Sequence, residues 1–129
     1  MEFPRAFRAD ASSLGSLRGA VAAWASRVEG ATPEIVEAAV LAVDEAATNA
    51  IVHAYDGGGD GQTVQVSAEA SSAWMRFSVA DRGAGFRPRR HSPGIGLGFA
   101  IIAQLADDLE VRDGDGGGIV VRIGFRLEP

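Results

Sequence analysis

The sequence predicts an α+β fold: a two-layer sandwich with a mixed, mostly antiparallel sheet and helices on one face. Three observations carry this. Segments of period-two and helical spacing follow in the order strand, helix, helix, two strands, loop, helix, two strands. Hairpin pairs outnumber βαβ units, which favours helices segregated to one face of an antiparallel sheet. Hydrophobic residues make up 47% of the chain and aromatic residues only 7%, so the core is built chiefly from Ala, Val, Leu and Ile. The 129 residues fit one domain over residues 1–129. A domain of that size buries roughly two-thirds of its unfolded surface.

Phe3 to Ala9 alternates loosely and is expected to form an edge strand. Asp10 then caps a helix over Ala11–Glu29, with Leu14, Leu17, Val21 and Trp24 at helical spacing and Gly30 as its stop. Thr32-Pro33-Glu34 combines a cap, a proline at the first helical position and an acid in the first turn. The helix that follows is expected to run to about Ala54, before Asp56 and Gly57-Gly58-Gly59. On a helical wheel centred on Val43, an arc of Val36, Val40, Ala47, Ile51 and Ala54 is expected to face the core. Gln62–Ala70 and Trp74–Ala80 alternate as two strands joined by a turn at Ser71-Ser72. Asp81–Pro93 has no period and reads as a loop, and Ile95–Ala106 as a third helix. Leu109–Arg112 and Ile119–Leu127 close the sheet around a turn at Gly114–Gly118.

Composition excludes several chemistries. With no cysteine, there is no disulfide framework, thiolate zinc site or cysteine nucleophile. With no lysine, the chain lacks the residue a Walker A loop, a common eukaryotic-type protein kinase or a Schiff base requires. The net charge of −5 argues against a nucleic-acid partner. Met1–Asp10 lacks the apolar core of a signal peptide, and no apolar run approaches the ~20 residues of a membrane span. A cytoplasmic protein with no membrane partner is expected.

Three patterns carry chemistry. On the second helix Glu45, Asn49 and His53 stand at i, i+4 and i+8, with small Ala38 and Ala42 alongside. The Asn oxygen suits one octahedral position on Mg²⁺, and the carboxylate one turn earlier suits orienting a nucleophile or taking its proton. Asp81-Arg82-Gly83-Ala84-Gly85-Phe86 follows a strand; its Asp can accept a hydrogen bond from an amino group such as that of adenine, and its glycines let the backbone approach a flat ring. Gly94-Ile95-Gly96-Leu97-Gly98 opens an apolar helix, whose free N–H groups and positive dipole end suit phosphate. It is not a Rossmann fingerprint, because the sixth position is Phe99 and no strand leads directly into it.

In this order the three patterns resemble the GHKL ATPases. Glu45-Ala46-Ala47-Thr48-Asn49-Ala50-Ile51-Val52-His53-Ala54-Tyr55 looks like their N box, Asp81-x-Gly83-x-Gly85-Phe86 like the adenine box and Gly94-x-Gly96-Leu97-Gly98 like the phosphate box. The Asn-Ala…His-Ala-Tyr wording is most similar to bacterial anti-sigma factor serine/threonine kinases. The resemblance covers about Phe3 to Leu127. It implies a Bergerat fold with ATP and Mg²⁺ as cofactors, Glu45 as general base, Asn49 as Mg²⁺ ligand and Asp81 as adenine reader. Gly83, Gly85, Gly94, Gly96, Leu97 and Gly98 would line the nucleotide; His53 is assigned no chemistry. It also implies a serine/threonine kinase acting on a STAS-type anti-anti-sigma partner, a sigma factor as second partner, and a homodimer.

The chain departs from the family pattern at three places. The lid from Phe86 to Gly94 is short, Ser92-Pro93 stands where many members carry an Arg, and Gly118-Ile119 stands where many have Gly-Thr. Arg87, Arg89 and Arg90 are alternative phosphate partners. Two other functions compete with the kinase: a non-catalytic partner-binding module, and a detached ATPase domain of a two-component histidine kinase.

Overall fold

The computed structural model describes residues 5–54, 62–81, 95–114 and 117–129, with the side chains at 5, 53, 54 and 95–97 outside that description. Gly83, Gly85, Gly94, Arg87, Arg89 and Arg90 lie outside the described residues. The elements in chain order are β1 (Arg5–Arg8), a 3₁₀ turn (Ala11–Ser13), α1 (Leu14–Ala25), α2 (Pro33–Asn49) and a π-helical turn (Ala50–Ala54). Then follow β2 (Thr63–Ala70), β3 (Trp74–Ala80), α3 (Ile95–Leu105), β4 (Asp108–Asp113) and β5 (Ile119–Arg126).

The sheet order is β1-β2-β3-β5-β4, and all four neighbouring pairs are antiparallel. β4 therefore runs parallel to β3 with β5 between them. The passage from β3 through α3 to β4 is the one crossover among the described elements. Strict alternation in β3 puts Met75, Phe77 and Val79 on the core face and Trp74, Arg76 and Ser78 on the other. Ser71 closes the β2–β3 hairpin: its N–H donates to the Trp74 carbonyl at 2.8 Å, and its Oγ accepts from the Trp74 N–H at 3.1 Å.

The core lies between the sheet and the helices. Phe77 sits at its centre, edge-on to Trp24 of α1 at 5.5 Å and to Phe125 of β5 at 6.2 Å. Val64, Val66, Met75, Ile123 and Phe125 from the sheet meet Leu17, Val21, Val43 and Ile102 from the helices, all essentially solvent-free.

Three expectations need correction. The first helix starts with a 3₁₀ turn capped by Asp10, whose carboxylate accepts from the Ser13 N–H at 3.1 Å. It ends at Ala25 rather than Glu29, and Gly30, at φ +89, instead turns the chain past the C-terminal segment, whose Glu128 N–H donates to the Gly30 carbonyl. The second helix keeps α pitch only to Asn49 and then widens. Its buried arc is Ala39, Ala42, Val43, Ala46, Ala47, Ala50 and Ile51, rotated from the one expected. Val36 and Val40 are only half-buried, because α1 and α3 flank α2 on opposite sides and its alanines let both approach closely. The side chain of His53, the third member of the expected line with Glu45 and Asn49, lies outside the description.

The start of α2 matches its sequence signal. Thr32 Oγ1 accepts from the Ile35 N–H at 3.2 Å, and Pro33 follows it. Thr32→Ala is expected to cost about 1 kcal/mol of stability, read as a lower urea midpoint at unchanged slope.

Candidate nucleotide site

The site is assembled from two pairs of contacts that join distant parts of the chain. The first lies between α2 and α3. Rotation of the buried arc puts Asn49 at its margin, half-buried, with its amide against the backbone of α3 at Gly98. A Cβ added at Gly98 would lie 2.5 Å from Asn49 Nδ2, 2.7 Å from Oδ1 and 2.9 Å from Cγ. Real Cβ atoms essentially never come that close, so only glycine lets the amide lie flat on the helix. Asn49 Nδ2 is buried and has no hydrogen-bond partner among the described residues. Burying such a donor unpaired costs about 1–3 kcal/mol, which makes it a position that needs an explanation.

Glu45 stands one α-turn before Asn49, half-buried on the same line of the helix. Its carboxylate makes no hydrogen bond or ion pair with any other described residue. Asp44, next to it on the outer side, is instead held by Arg18 of α1 at 3.1 Å. The helix thus separates a carboxylate fixed in an ion pair from one left available.

The second pair lies at the end of β3. Asp81 is 7% exposed, the one buried charged residue among those described. Its N–H donates to the Ile119 carbonyl at 3.0 Å, and its Oδ1 accepts from the Ile119 N–H at 3.2 Å. This two-bond clamp fixes the carboxylate at the start of β5. Gly118 makes it fit: at φ +78, a Cβ there would lie 2.0 Å from the Asp81 carbonyl oxygen and 2.8 Å from Oδ1. Sequence reasoning took Gly114–Gly118 as a turn and missed this role. The available signal was a glycine run ending directly at a strand, opposite an aspartate at another strand's end.

Gly96 and Leu97 fall in the first turn of α3, where backbone N–H groups and the dipole favour an anion. Gly98 follows them one step into the helix. The structure therefore brings Asn49 to Gly98 and Asp81 to Gly118 and Ile119, while Gly83, Gly85 and Gly94 lie outside the described residues.

The donor set can be tested against the implied cation. Among the described residues no three His, Asp, Glu or Cys side chains gather as a metal cage. Asn49 offers one neutral oxygen beside an unpaired donor. That fits a Mg²⁺ that takes one protein oxygen and draws its other ligands from phosphates and water. It also fits a phosphate oxygen accepting from Nδ2.

Comparison with known proteins identifies the family. Residues 7–125 match the histidine kinase-like ATPase domain. The anti-sigma F factor of Pasteuria penetrans is 31% identical over 122 residues, covering 86% of this chain and 81% of the relative. The anti-sigma F factor of Bacillus thuringiensis (strain Al Hakam) is 27% identical over 117 residues, covering 82% and 79%. Among solved structures, the histidine kinase domain from the Erythrobacter litoralis EL346 blue-light activated histidine kinase superposes with a TM-score of 0.61 at 29% identity, over 90% of this chain. The chain spans 60% of that solved chain's length. The chain belongs to the histidine kinase-like ATPase domain family.

Proposed function

We propose that this chain, as one domain over residues 1–129, is an ATP-dependent anti-sigma factor that phosphorylates a serine or threonine of a STAS-type anti-anti-sigma partner and sequesters a sigma factor. The observation that carries the nucleotide part is the orphaned Asn49 amide lying on Gly98, one turn after an available carboxylate. The names of the relatives support the anti-sigma part. A homodimer in the cytoplasm goes with the same proposal. Among the described residues no helix is long and apolar enough to cross a membrane.

We assign the roles residue by residue. Asp81, clamped by Ile119, accepts from the exocyclic amine of adenine. The start of α3, with Gly96, Leu97 and Gly98, receives phosphate oxygens through its backbone N–H groups, and Gly83, Gly85 and Gly94 line the nucleotide. Asn49 would hold Mg²⁺ through its amide oxygen. When bound, the cation neutralises phosphate charge. Glu45 takes the proton of the partner hydroxyl as that oxygen attacks the γ-phosphorus, and ADP leaves. Catalysis of this kind rests mainly on positioning and electrostatics.

Glu45→Ala is expected to keep ATP binding within about twofold while transfer to the STAS partner falls by about 10²–10⁴. Transfer of labelled γ-phosphate to the purified partner reads this directly, and transfer at the wild-type rate would remove Glu45 as the base. Ile119 favours a second reading, a non-catalytic partner-binding regulator. Beside the Asp81 clamp it contributes only backbone, and its apolar side chain cannot donate a hydrogen bond to a nucleotide. In that case the wild-type protein itself transfers no phosphate.

A further inference from the structure

The face of the sheet turned away from the helices carries its own constructed feature. Trp74 of β3 is half-buried there, and the guanidinium carbons of Arg76 and Arg126 lie 4.5 and 5.3 Å from its ring centroid. Arg126 is the direct cross-strand partner of Trp74, and Gly124 that of Arg76. Gly124 makes the arrangement fit. A Cβ there would meet Arg76 Nη1 at 2.9 Å and both Asp108 Cβ and Trp74 Cε3 at 3.3 Å. A glycine inside a paired strand weakens that strand and often marks close approach of another group. Here it lets an indole and a guanidinium lie down flat across β5.

The charges of this face are partly committed. Arg76 is paired with Asp108 at 3.0 Å and Arg122 with Glu69 at 3.5 Å. Arg126 is exposed and makes no salt bridge with any carboxylate among the described residues. A chain of net charge −5 thus holds a guanidinium with no carboxylate paired to it among the described residues, beside a half-buried indole. Trp and Arg are the side chains that dominate protein interface energetics, and Arg pairs with carboxylates in bidentate geometry.

We propose that the Trp74–Arg76–Arg126 platform is a docking surface for a carboxylate-bearing segment of another protein. A partner carboxylate pairs with Arg126, and its neighbouring apolar atoms cover the Trp74 ring. Glu69, Asp108 and Glu110, on the same face, oppose the continuous phosphate row of a nucleic acid at several points, whereas a side-chain carboxylate needs only Arg126. The surface lies across the sheet from Asn49 and Glu45, so it stands or falls independently of nucleotide binding.

The chain has two tryptophans, and Trp24 of α1 packs against Phe77 on the core face of the sheet, so their two indole N–H resonances give a probe and an internal control. The titrants are capped peptides with two Glu at increasing spacing in a Leu/Ser background, each matched by its Gln counterpart. At least one Glu peptide is expected to shift the Trp74 signal saturably while the Trp24 signal stays still. It should bind roughly tenfold tighter than its Gln match, and Arg126→Ala should lose roughly tenfold in affinity. Absence of any saturable shift, equal binding by Glu and Gln peptides, or unchanged binding by Arg126→Ala overturns the proposal. So does a sedimentation experiment in which Arg126→Ala converts a dimer to a monomer, because a second copy would then be the occupant.

Discussion

Asn49→Ala is expected to abolish magnesium-dependent ATP binding and yet leave the fold as stable as before, or more so. The two halves of that result have separate causes. Binding is lost because the variant removes the amide oxygen proposed to hold the cation, together with the donor facing α3. A loss of at least tenfold in affinity is the expected size, equivalent to about 1.4 kcal/mol. Stability is kept because Asn49 Nδ2 is buried without a partner, a state costing about 1–3 kcal/mol that alanine relieves. Against that gain stands only the contact of the amide with the α3 backbone at Gly98. Thermal unfolding without nucleotide should therefore give a midpoint within a few degrees of wild type or above it. With saturating Mg-ATP, the wild type should rise and the variant should not. A variant that unfolds far below wild type without nucleotide would mean that the amide is a structural group after all.

Gly118→Ala is expected to be the most damaging alanine substitution among the described glycines. The residue sits at φ +78, where an L side chain costs roughly 1–2 kcal/mol. The new Cβ would also lie 2.0 Å from the Asp81 carbonyl oxygen, which is backbone and has no rotamer to escape into. Either the end of β3 parts from the start of β5, or the two bonds between Asp81 and Ile119 break. A total of about 2–4 kcal/mol follows, or a fall of roughly 10 °C in unfolding midpoint. Gly19→Ala is the matched control. Gly19 lies inside α1 with nothing within 4 Å of an added Cβ, so alanine there should stabilise by about 0.5–1 kcal/mol. If both variants moved the midpoint equally, backbone geometry at Gly118 would not be what holds Asp81.

These two positions also mark where sequence reading ended. Elements set by local rules were legible: Trp74–Ala80 by its alternation, and the start of α2 by Thr32-Pro33-Glu34. The phase of α2 was not, because its buried face is mostly alanine, which gives a wheel little contrast. Packing of α1 and α3 on either side decided it. The π turn after Asn49 has no local signature in Ala50–Ala54, so the change of pitch there was not legible. Asn49 and Asp81 were singled out by their motifs, but their partners were not. Gly98 meets Asn49 only once α3 has docked on α2, and Gly118 meets Asp81 only once β5 has paired with β3.

The most direct test of the central claim is a calorimetric titration of the purified protein with ATP, with and without Mg²⁺, repeated on Asn49→Ala. Saturable binding that strengthens with magnesium in the wild type and loses that dependence in the variant is the predicted result. No heat of binding at millimolar ATP, or binding indifferent both to magnesium and to Asn49, would contradict it and leave the fold serving partner recognition alone.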